Sequence, residues 1–252
     1  MARLQNKTAI VTGGSSGIGQ ACALAIAEEG ANIVIVSRSQ QKIDKTVEAV
    51  EALGVKSIGL ALNVGNPEDM KKMVEKTIKY FRTVDILIAS AGTGGSQTTQ
   101  RGVPFAFVQL PLEEWEEVID INLKGVLFSN QAVLPTMIRQ GNGHIINVSS
   151  SRGAKRGREF VAAYSASKHG VMGITESVAA EMSRYNIKVQ AFLPDVVDTP
   201  LLQKTKDSVA PYGTLTKEGV GDFVVELLTQ PEDVYLKDPL IAPHGGMAAY
   251  KY

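Results

Sequence analysis

Two side chains in the second half of the chain have the types and the spacing that proton transfer requires. Tyr164 and Lys168 stand four residues apart in YSASKHGVMGITESVAAEM, a segment with helical periodicity, so both side chains share one helical face. A phenol titrates near pH 10, too high for an effective base at neutral pH. An ammonium group within a few ångströms lowers that pKa by about one to three units. The pair, preceded by the serine run Ser149–Ser151, therefore predicts a proton donor or acceptor.

A glycine-rich turn near the start of the chain is the second chemical feature. The apolar run TAIVTG leads into TGGSSGIGQACALAIAEEG, with glycines at positions 13, 17 and 19. Glycine lets such a turn adopt unusual dihedral angles and lets a pyrophosphate approach the backbone. The N-terminus of the following helix offers free N–H groups and a partial positive charge to phosphates. No Gly-Lys-Ser/Thr follows, so the pattern predicts a dinucleotide site.

The residues after the second apolar run, NIVIV, indicate which dinucleotide binds. The run ends near Val36, where a dinucleotide-binding fold presents a residue to the adenosine ribose. An acidic residue there would accept a hydrogen bond from the 2'-hydroxyl of NAD. This chain has Ser37, Arg38 and Ser39 instead, and a guanidinium group stacks on adenine and pairs with a 2'-phosphate. We therefore predict NADP(H) as the cofactor.

Alternating strands and helices must position these features. Short runs rich in Val and Ile alternate with helical patterns: TAIVTG, NIVIV, SIGLAL, VDILIAS, HIINVSS and KVQAFLP. Between two of them, Met70, Met73 and Ile78 form one apolar helical stripe, and Pro67 suits the first turn. Connections of a dozen or more residues favour parallel strands with right-handed crossovers. We predict one domain over residues 1–252, a doubly wound α/β (Rossmann) fold with a mostly parallel seven-stranded sheet and helices on both faces.

Composition favours a small-molecule partner. The 252 residues are 44% apolar and carry 26 basic against 26 acidic side chains, so no net field draws the protein to nucleic acid or a membrane surface. No basic and apolar leader opens the chain, and the lone Cys22 cannot form an internal disulfide. His144, His169 and His244 have no partners at metal-ligand spacing. We expect a soluble, cytoplasmic protein with no catalytic metal and no nucleic-acid or membrane partner.

Taken together, these motifs resemble those of the short-chain dehydrogenase/reductase family, in its short single-domain branch. TGGSSGIG matches the family's Thr-Gly-x-x-x-Gly-x-Gly, and YSASK matches its Tyr-x-x-x-Lys. INLKG contains its helix asparagine, and GHIINVSS is its serine-bearing strand. The matches occur in the family's order and spacing and cover nearly the whole chain.

The resemblance implies a role for each matching residue. Tyr164 exchanges a proton with the substrate oxygen, which a serine holds. Lys168 binds the nicotinamide ribose and tunes Tyr164, and Asn122 holds a water in a proton relay. Val197 and Thr199 match positions that contact the nicotinamide carboxamide. The cofactor contacts expected from the resemblance are Gly13, Ser15, Ser16, Gly17, Ile18, Gly19, Arg38, Asn63, Val64, Ser90, Ala91, Gly92, Tyr164, Lys168, Pro194, Val197 and Thr199.

The family's serine falls on one of two adjacent residues. Counting seven residues forward from Gly143 gives Ser150, and counting thirteen back from Tyr164 gives Ser151. The counts differ by one residue, which we assign to the loop between strand and helix. A strand fixes its own register better than a loop does, so we favour Ser150 and keep Ser151 as the alternative. Ser149 points to the opposite face of the strand from Ser150 and is the least favoured.

The chain also departs from the family pattern. Asn63 and Val64 stand where the adenine pocket has Asp-Val, and ASAG replaces Asn-Asn-Ala-Gly after the fourth strand. The usual proline-glycine after the sixth strand is Pro194 and Asp195. The carboxylate of Asp195 either tunes substrate choice or points to solvent.

Three further segments bear on the substrate. Residues 93–115 are expected to form the substrate mouth, and residues 200–220 follow the nicotinamide contacts where the family places a mobile lid. Pro239 and Pro243 cannot donate ladder hydrogen bonds, so the closing strand should be an irregular edge. Four cations ahead of Tyr164 either receive an anionic substrate group or form a solvated loop: Arg152, Lys155, Arg156 and Arg158.

The leading interpretation is an NADP-dependent oxidoreductase that interconverts a carbonyl compound and a secondary alcohol, with Tyr164 as acid or base. The alternative is a 3-oxoacyl-thioester reductase acting on acyl carrier protein. A protein that senses NADP without catalysis is disfavoured, because Tyr164, Lys168, Asn122 and a serine are all present. The resemblance further implies a homotetramer, in which the long helices over about residues 113–139 and 164–185 pair across twofold axes.

Overall fold

The structure is a computed structural model, and it describes residues 2–95, 100–101, 103–155, 159–202 and 213–245, except for the side chains of Arg152 and Lys155. Within these residues one sheet contains seven strands, all parallel to their neighbours. The strands are β1 (Thr8–Thr12), β2 (Asn32–Ser37), β3 (Ser57–Ala61), β4 (Ile86–Ala89), β5 (Gly143–Val148), β6 (Ile187–Pro194) and β7 (Leu240–Ile241). Their order across the sheet is β3-β2-β1-β4-β5-β6-β7.

Helices connect these strands and cover both faces of the sheet. They are α1 (Gly17–Glu28), α2 (Gln40–Glu51), α3 (Pro67–Phe81), α4 (Leu112–Ile119), α5 (Gly125–Gln140), α6 (Ser151–Lys155), α7 (Ala162–Met182) and α8 (Lys217–Leu228). The predicted doubly wound fold with helices on both faces is confirmed. Among the described residues, none of the helices has both the length and the apolar character that crossing a bilayer demands.

The alternation of side chains along β1 creates two separate cores. Val11 faces one core, which also contains Ile26 of α1 and Val224 of α8. Its neighbour Ile10 faces the other, together with Met73 of α3. Because successive side chains of a strand point to opposite faces, strands this rich in Val and Ile are buried on both sides, as parallel sheets require.

Helix α3 shows how the sequence sets an element's limits. Its N-cap residue Asn66 accepts hydrogen bonds from the backbone N–H groups of Glu68 and Asp69, at 2.9 and 3.4 Å. Pro67 occupies the first turn, where a missing N–H costs nothing. The helix ends at Arg82, which adopts the left-handed conformation with φ of 70°. Capping at both ends thus fixes α3 between β3 and β4.

The sheet order places the site. Chain connections leave β1 toward β2 on one side, whereas β4 and β5 lie on its other side. At such a switch point the loops after adjacent strands diverge and leave a crevice at the carboxyl edge of the sheet. The glycine-rich turn after β1 and the ASAG segment after β4 therefore meet at this crevice.

The structure adds detail to two elements that were expected from the sequence. The long helix expected over about 113–139 is divided by a π-helical segment, Asp120–Lys124, which joins α4 to α5. The closing strand β7 has only two residues and pairs with Leu193 and Pro194 of β6. A short edge strand next to Pro239 agrees with the expected irregular edge.

Candidate active site

A cavity of about 1030 Å³ opens at the carboxyl edge of the sheet. Ligand pockets commonly measure about 300–1,000 Å³, so this cavity is large enough for a dinucleotide together with an organic substrate. Ser150 lines it, whereas Asn122 and Ser151 are fully buried outside its lining. Every residue expected to contact the cofactor also lines it: Gly13, Ser15, Ser16, Gly17, Ile18, Gly19, Arg38, Asn63, Val64, Ser90, Ala91, Gly92, Tyr164, Lys168, Pro194, Val197 and Thr199.

The turn after β1 brings bare backbone to the cavity. Gly13 has φ of 68°, in the left-handed region, and a side chain there would collide with the backbone of Ala91. A side chain at Gly19 would collide with the Gly13 carbonyl. Thr12 Oγ1 accepts hydrogen bonds from the N–H groups of Ser90 and Ala91, at 3.2 and 3.3 Å. The turn is thus tied to the end of β4, and its backbone is close enough to the cavity for a pyrophosphate to contact it.

Helix α1 directs its N-terminus at the same cavity. Its first three residues, Gly17, Ile18 and Gly19, all line it. The N-cap residue Ser16 has an extended backbone, and its side chain makes no capping hydrogen bond to the helix. The N–H groups of the first turn and the positive end of the helix dipole therefore face a position that suits phosphate.

Two cations line the cavity where β2 ends and α2 begins. Arg38 and Lys42 both line it, next to Ser37 and Ser39. Ser15 Oγ donates a hydrogen bond to Ser37 Oγ at 2.7 Å, which joins the glycine turn to the end of β2. Sequence reasoning identified Arg38 and missed Lys42. The signal for Lys42 was its position four residues after Arg38, on the first turn of α2.

Ser150 and Tyr164 lie together at the other end of the cavity. The phenol of Tyr164 and the side chain of Ser150 share a hydrogen bond. Ser150 Oγ also accepts a hydrogen bond from the backbone N–H of Gly153, at 3.0 Å. Ser151 has no exposed surface. A substrate in the cavity can therefore reach the hydroxyl of Ser150 without any rearrangement, and cannot reach that of Ser151.

Burial controls the pKa values of this pair and of the neighbouring lysine. Burial raises the pKa of Tyr164, and its hydrogen bond with Ser150 opposes that rise. Burial lowers the pKa of Lys168 from 10.5 to about 8. Lys168 Nζ donates a hydrogen bond to the Val148 carbonyl at 2.8 Å and lies 5.8 Å from the centre of the Tyr164 ring. The expected net lowering of the Tyr164 pKa is thus wrong for this structure, because desolvation dominates.

Asn122 lies in the π-helical segment Asp120–Lys124 behind the cavity. Its Oδ1 accepts a hydrogen bond from the backbone N–H of Thr93 at 2.8 Å, and its Nδ2 donates to the Thr93 carbonyl at 3.0 Å. The same Nδ2 lies 3.2 Å from Ser167 Oγ. The Asn122 side chain therefore links Thr93, the first residue of the expected substrate mouth, to α7. The role of Asn122 in a water relay stays a prediction.

Comparison with known proteins agrees with this geometry. The model of the family described as short chain dehydrogenase matches residues 7–210. The 3-oxoacyl-(acyl-carrier-protein) reductase FabG of Thermotoga maritima is 34% identical over 252 residues, covering 97% of this chain and 99% of that protein. The chain belongs to the short-chain dehydrogenase/reductase family.

Solved structures of other proteins share its fold. The crystal structure of levodione reductase superposes with a TM-score of 0.87 at 25% identity, over 98% of this chain and all of that one. An alcohol dehydrogenase from the archaeon Thermococcus sibiricus, complexed with 5-hydroxy-NADP, gives a TM-score of 0.83 at 25% identity, over 95% of this chain and 97% of that one. As a short-chain dehydrogenase/reductase, the chain is an oxidoreductase.

Two buried carboxylates belong to the cavity wall of this short-chain dehydrogenase/reductase. Asp195, only 8% exposed, lines the cavity, so its side chain does not point to bulk solvent. Glu114, only 2% exposed, also lines it, and a side chain at Gly95 would overlap the Glu114 carboxylate. Sequence reasoning missed Glu114, because an acidic residue in the first turn of a helix is usually explained by the helix dipole.

Part of the expected substrate region lies outside the described residues. This applies to residues 96–99 and 102 of the expected substrate mouth, to Arg156 and Arg158, to the side chains of Arg152 and Lys155, and to residues 203–212 of the expected lid. The described part of the chain places no group of three His, Cys, Asp or Glu side chains where it would hold a metal ion.

The buried lysine yields a prediction about stability. We expect Lys168→Met to raise the free energy of unfolding of the cofactor-free protein by about 1–2 kcal/mol at pH 7, because the substitution removes a buried charge. This net gain already includes the loss of the hydrogen bond to the Val148 carbonyl, which costs about 1 kcal/mol. The pKa of Lys168 is lower in the folded protein, so the wild type gains stability as the pH rises from 8 to 10.5. The advantage of the variant should therefore shrink in that window.

Urea unfolding at pH 7 and pH 9.5 measures this effect. Lys45 is exposed and does not line the cavity. The control variant Lys45→Met should therefore show no gain in the free energy of unfolding. A Lys168→Met protein less stable than wild type at pH 7 would contradict the prediction.

Proposed function

We propose that the chain is an NADP(H)-dependent oxidoreductase that transfers hydride between nicotinamide and a carbonyl or secondary alcohol substrate, with Tyr164 as proton donor or acceptor. The observation that carries the proposal is the placement of Ser150, Tyr164 and Lys168 in one cavity with the glycine turn and two cations. The bare backbone at Gly13 and the open N-terminus of α1 fit the pyrophosphate.

In the direction of reduction, each residue has a defined task. NADPH, when bound, supplies the hydride that reaches the carbonyl carbon. The Tyr164 hydroxyl then gives its proton to the carbonyl oxygen, while Ser150 Oγ donates a hydrogen bond to the same oxygen. Lys168, as a cation, stabilises the phenolate left behind and would hold the nicotinamide ribose. Burial raises the pKa of the phenol, so Tyr164 is protonated at pH 7 and can give its proton to the substrate oxygen.

The cofactor preference leads to a quantitative prediction. Charge-assisted hydrogen bonds contribute about 1.5–3 kcal/mol each, so Arg38→Ala should raise the Kd of NADPH by about 10- to 100-fold. Lys42→Ala should raise it by a smaller factor, and neither change should alter the Kd of NADH by more than about threefold, since NADH lacks the 2'-phosphate. Fluorescence titration with both cofactors measures these constants. Lys45→Ala is the matched control.

If wild-type protein bound NADH more tightly than NADPH, the NADP(H) assignment would be wrong. If Arg38→Ala weakened the binding of NADPH and NADH equally, Arg38 would act through its general positive charge and would not recognise the 2'-phosphate.

A second candidate function is reduction of 3-oxoacyl thioesters. It is favoured by the 34% identity with the Thermotoga maritima reductase over nearly the full length of both chains. Parallel assays with acetoacetyl-coenzyme A and with ketones that carry no thioester separate the two, because a thioester reductase should prefer the former by a large factor. We also propose a homotetramer, as the family resemblance implies, and a cytoplasmic location, as the sequence composition favours.

A further inference from the structure

The entrance of the cavity is formed by apolar side chains that face solvent. Val103, Phe107, Phe160 and Leu201 are 55%, 72%, 52% and 51% exposed, and all four line the cavity that contains Ser150. We call these four side chains the apolar rim. They come from three separate segments of the chain, so no single amphipathic element explains them.

The inner wall behind the rim is apolar as well. Phe105, Leu110 and Val118 also line the cavity and are less exposed than the rim. The guanidinium carbon of Arg101 lies 4.1 Å from the centre of the Phe105 ring, a distance at which cation–π attraction holds the ring in place. The Phe105 ring is thereby fixed as part of the wall.

The backbone at Phe160 is unusual and supports a function for the rim. Phe160 has φ of 63°, a left-handed conformation that is rare for a bulky residue. Such a conformation is strained and is found where surrounding structure or function requires it. Here it keeps an aromatic ring half exposed at the entrance, two residues before α7 begins.

Charge is distributed unevenly along the cavity. The cations among its described lining residues are Arg38, Lys42 and Lys168, and the acids are Glu114, Glu159 and Asp195, whereas the four rim side chains carry no charge. Exposure of apolar side chains to water is unfavourable, so a ligand that covers them gains binding free energy. Since the rim lines the same cavity as Tyr164, the group that covers it belongs to the molecule whose carbonyl reaches Tyr164.

From these observations we infer that the substrate is an uncharged ketone or aldehyde whose carbonyl carries a long apolar chain or an apolar ring system, which leaves the cavity across Phe107, Phe160 and Leu201. The inference rests on the proposed carbonyl reductase function and specifies its substrate class. A small, fully hydrophilic carbonyl compound would leave the rim exposed.

A homologous series of methyl ketones tests the inference. For 2-butanone to 2-decanone with NADPH, kcat/KM should rise about two- to fourfold for each added methylene, since each methylene fully removed from water contributes about 0.8 kcal/mol, a fourfold factor. The rise should level off once the chain extends beyond the rim. A kcat/KM that changes less than about twofold over the whole series would overturn the inference.

Substitutions in the apolar rim test whether the dependence of kcat/KM on chain length arises there. Phe107→Ser and Phe160→Asn should each lower the increment per methylene to less than about twofold; asparagine at 160 tolerates the left-handed backbone. Val108→Ser is the matched control, because Val108 is next in the chain and 91% exposed but does not line the cavity. If the rim variants changed the sedimentation coefficient and left the increment unaltered, the rim would be a subunit contact and the inference would be wrong.

Binding separates this inference from the proposed function. The Kd values of the same ketones for the NADPH-loaded Tyr164→Phe variant should fall with chain length even though that variant does not turn over. Length-dependent binding without any turnover by wild type would refute the reductase and keep the apolar substrate class. Turnover without length dependence in kcat/KM or Kd would refute the substrate class and keep the reductase.

Discussion

Replacing Tyr164 by Phe lowers kcat by about 100- to 10,000-fold, the range by which positioned proton transfer accelerates reactions. Phenylalanine keeps the ring, which packs against Gly153, and removes only the hydroxyl that shares a hydrogen bond with Ser150. The local packing should therefore survive, and the Kd of NADPH should stay within about threefold of the wild-type value. Steady-state kinetics with a saturating ketone and fluorescence titration of the cofactor measure the two quantities.

The same measurement distinguishes catalysis from cofactor sensing. A Tyr164→Phe protein that kept more than about a tenth of the wild-type kcat would show that another group transfers the proton. Wild-type protein that bound NADPH tightly and reduced none of the ketones, aldehydes or thioesters would instead be a sensor.

Replacing Ser150 by Ala lowers kcat by about 100- to 1,000-fold, whereas replacing Ser151 by Ala leaves it within about threefold of wild type. The loss of one preorganised donor to a developing oxyanion costs about this much in other enzymes. Ser150 Oγ lines the cavity and shares a hydrogen bond with Tyr164, whereas Ser151 is fully buried outside the lining. Ser151→Ala should affect the melting temperature more than the rate, since it alters a buried hydroxyl.

The pH dependence provides a second readout for Ser150. Its hydrogen bond opposes the rise in the pKa of Tyr164, so Ser150→Ala should move the basic limb of the kcat profile to higher pH. A change in stability alone would not move that limb. A larger loss of kcat in Ser151→Ala than in Ser150→Ala would reverse the assignment.

Much of the fold was predictable because its signals are local. The Val and Ile runs of β1 to β6 and the glycine turn after β1 are each encoded within a dozen residues, and crossover handedness then restricts the topology. The register of β5 likewise favoured Ser150, which lines the cavity, over Ser151, which does not. Pairing across the sheet, as between Ile10 and Leu87, needed no further signal than burial on both faces.

The features that sequence reasoning missed depend on contacts between distant segments. The packing of Glu114 against Gly95 is such a tertiary outcome, with no periodic signature. Lys42 is the exception, because its position four residues after Arg38 was a local signal. The pKa of Tyr164 was expected to fall because a lysine follows at i+4, a local argument. In the folded protein the desolvation of both groups, which no local pattern reveals, determines the direction.

The two-residue strand β7 has a practical consequence for anyone handling the protein. The Pro239 carbonyl accepts a hydrogen bond from the Leu193 N–H at 2.9 Å, and the Ile241 carbonyl accepts one from the Asp195 N–H at 2.8 Å. These bonds hold the backbone from which Asp195 reaches the cavity wall. A force applied on the carboxyl-terminal side would be transmitted through β7 to the cavity wall at Asp195. Affinity tags and surface immobilisation therefore belong on the amino-terminal side, where β1 enters the sheet at the edge opposite the cavity.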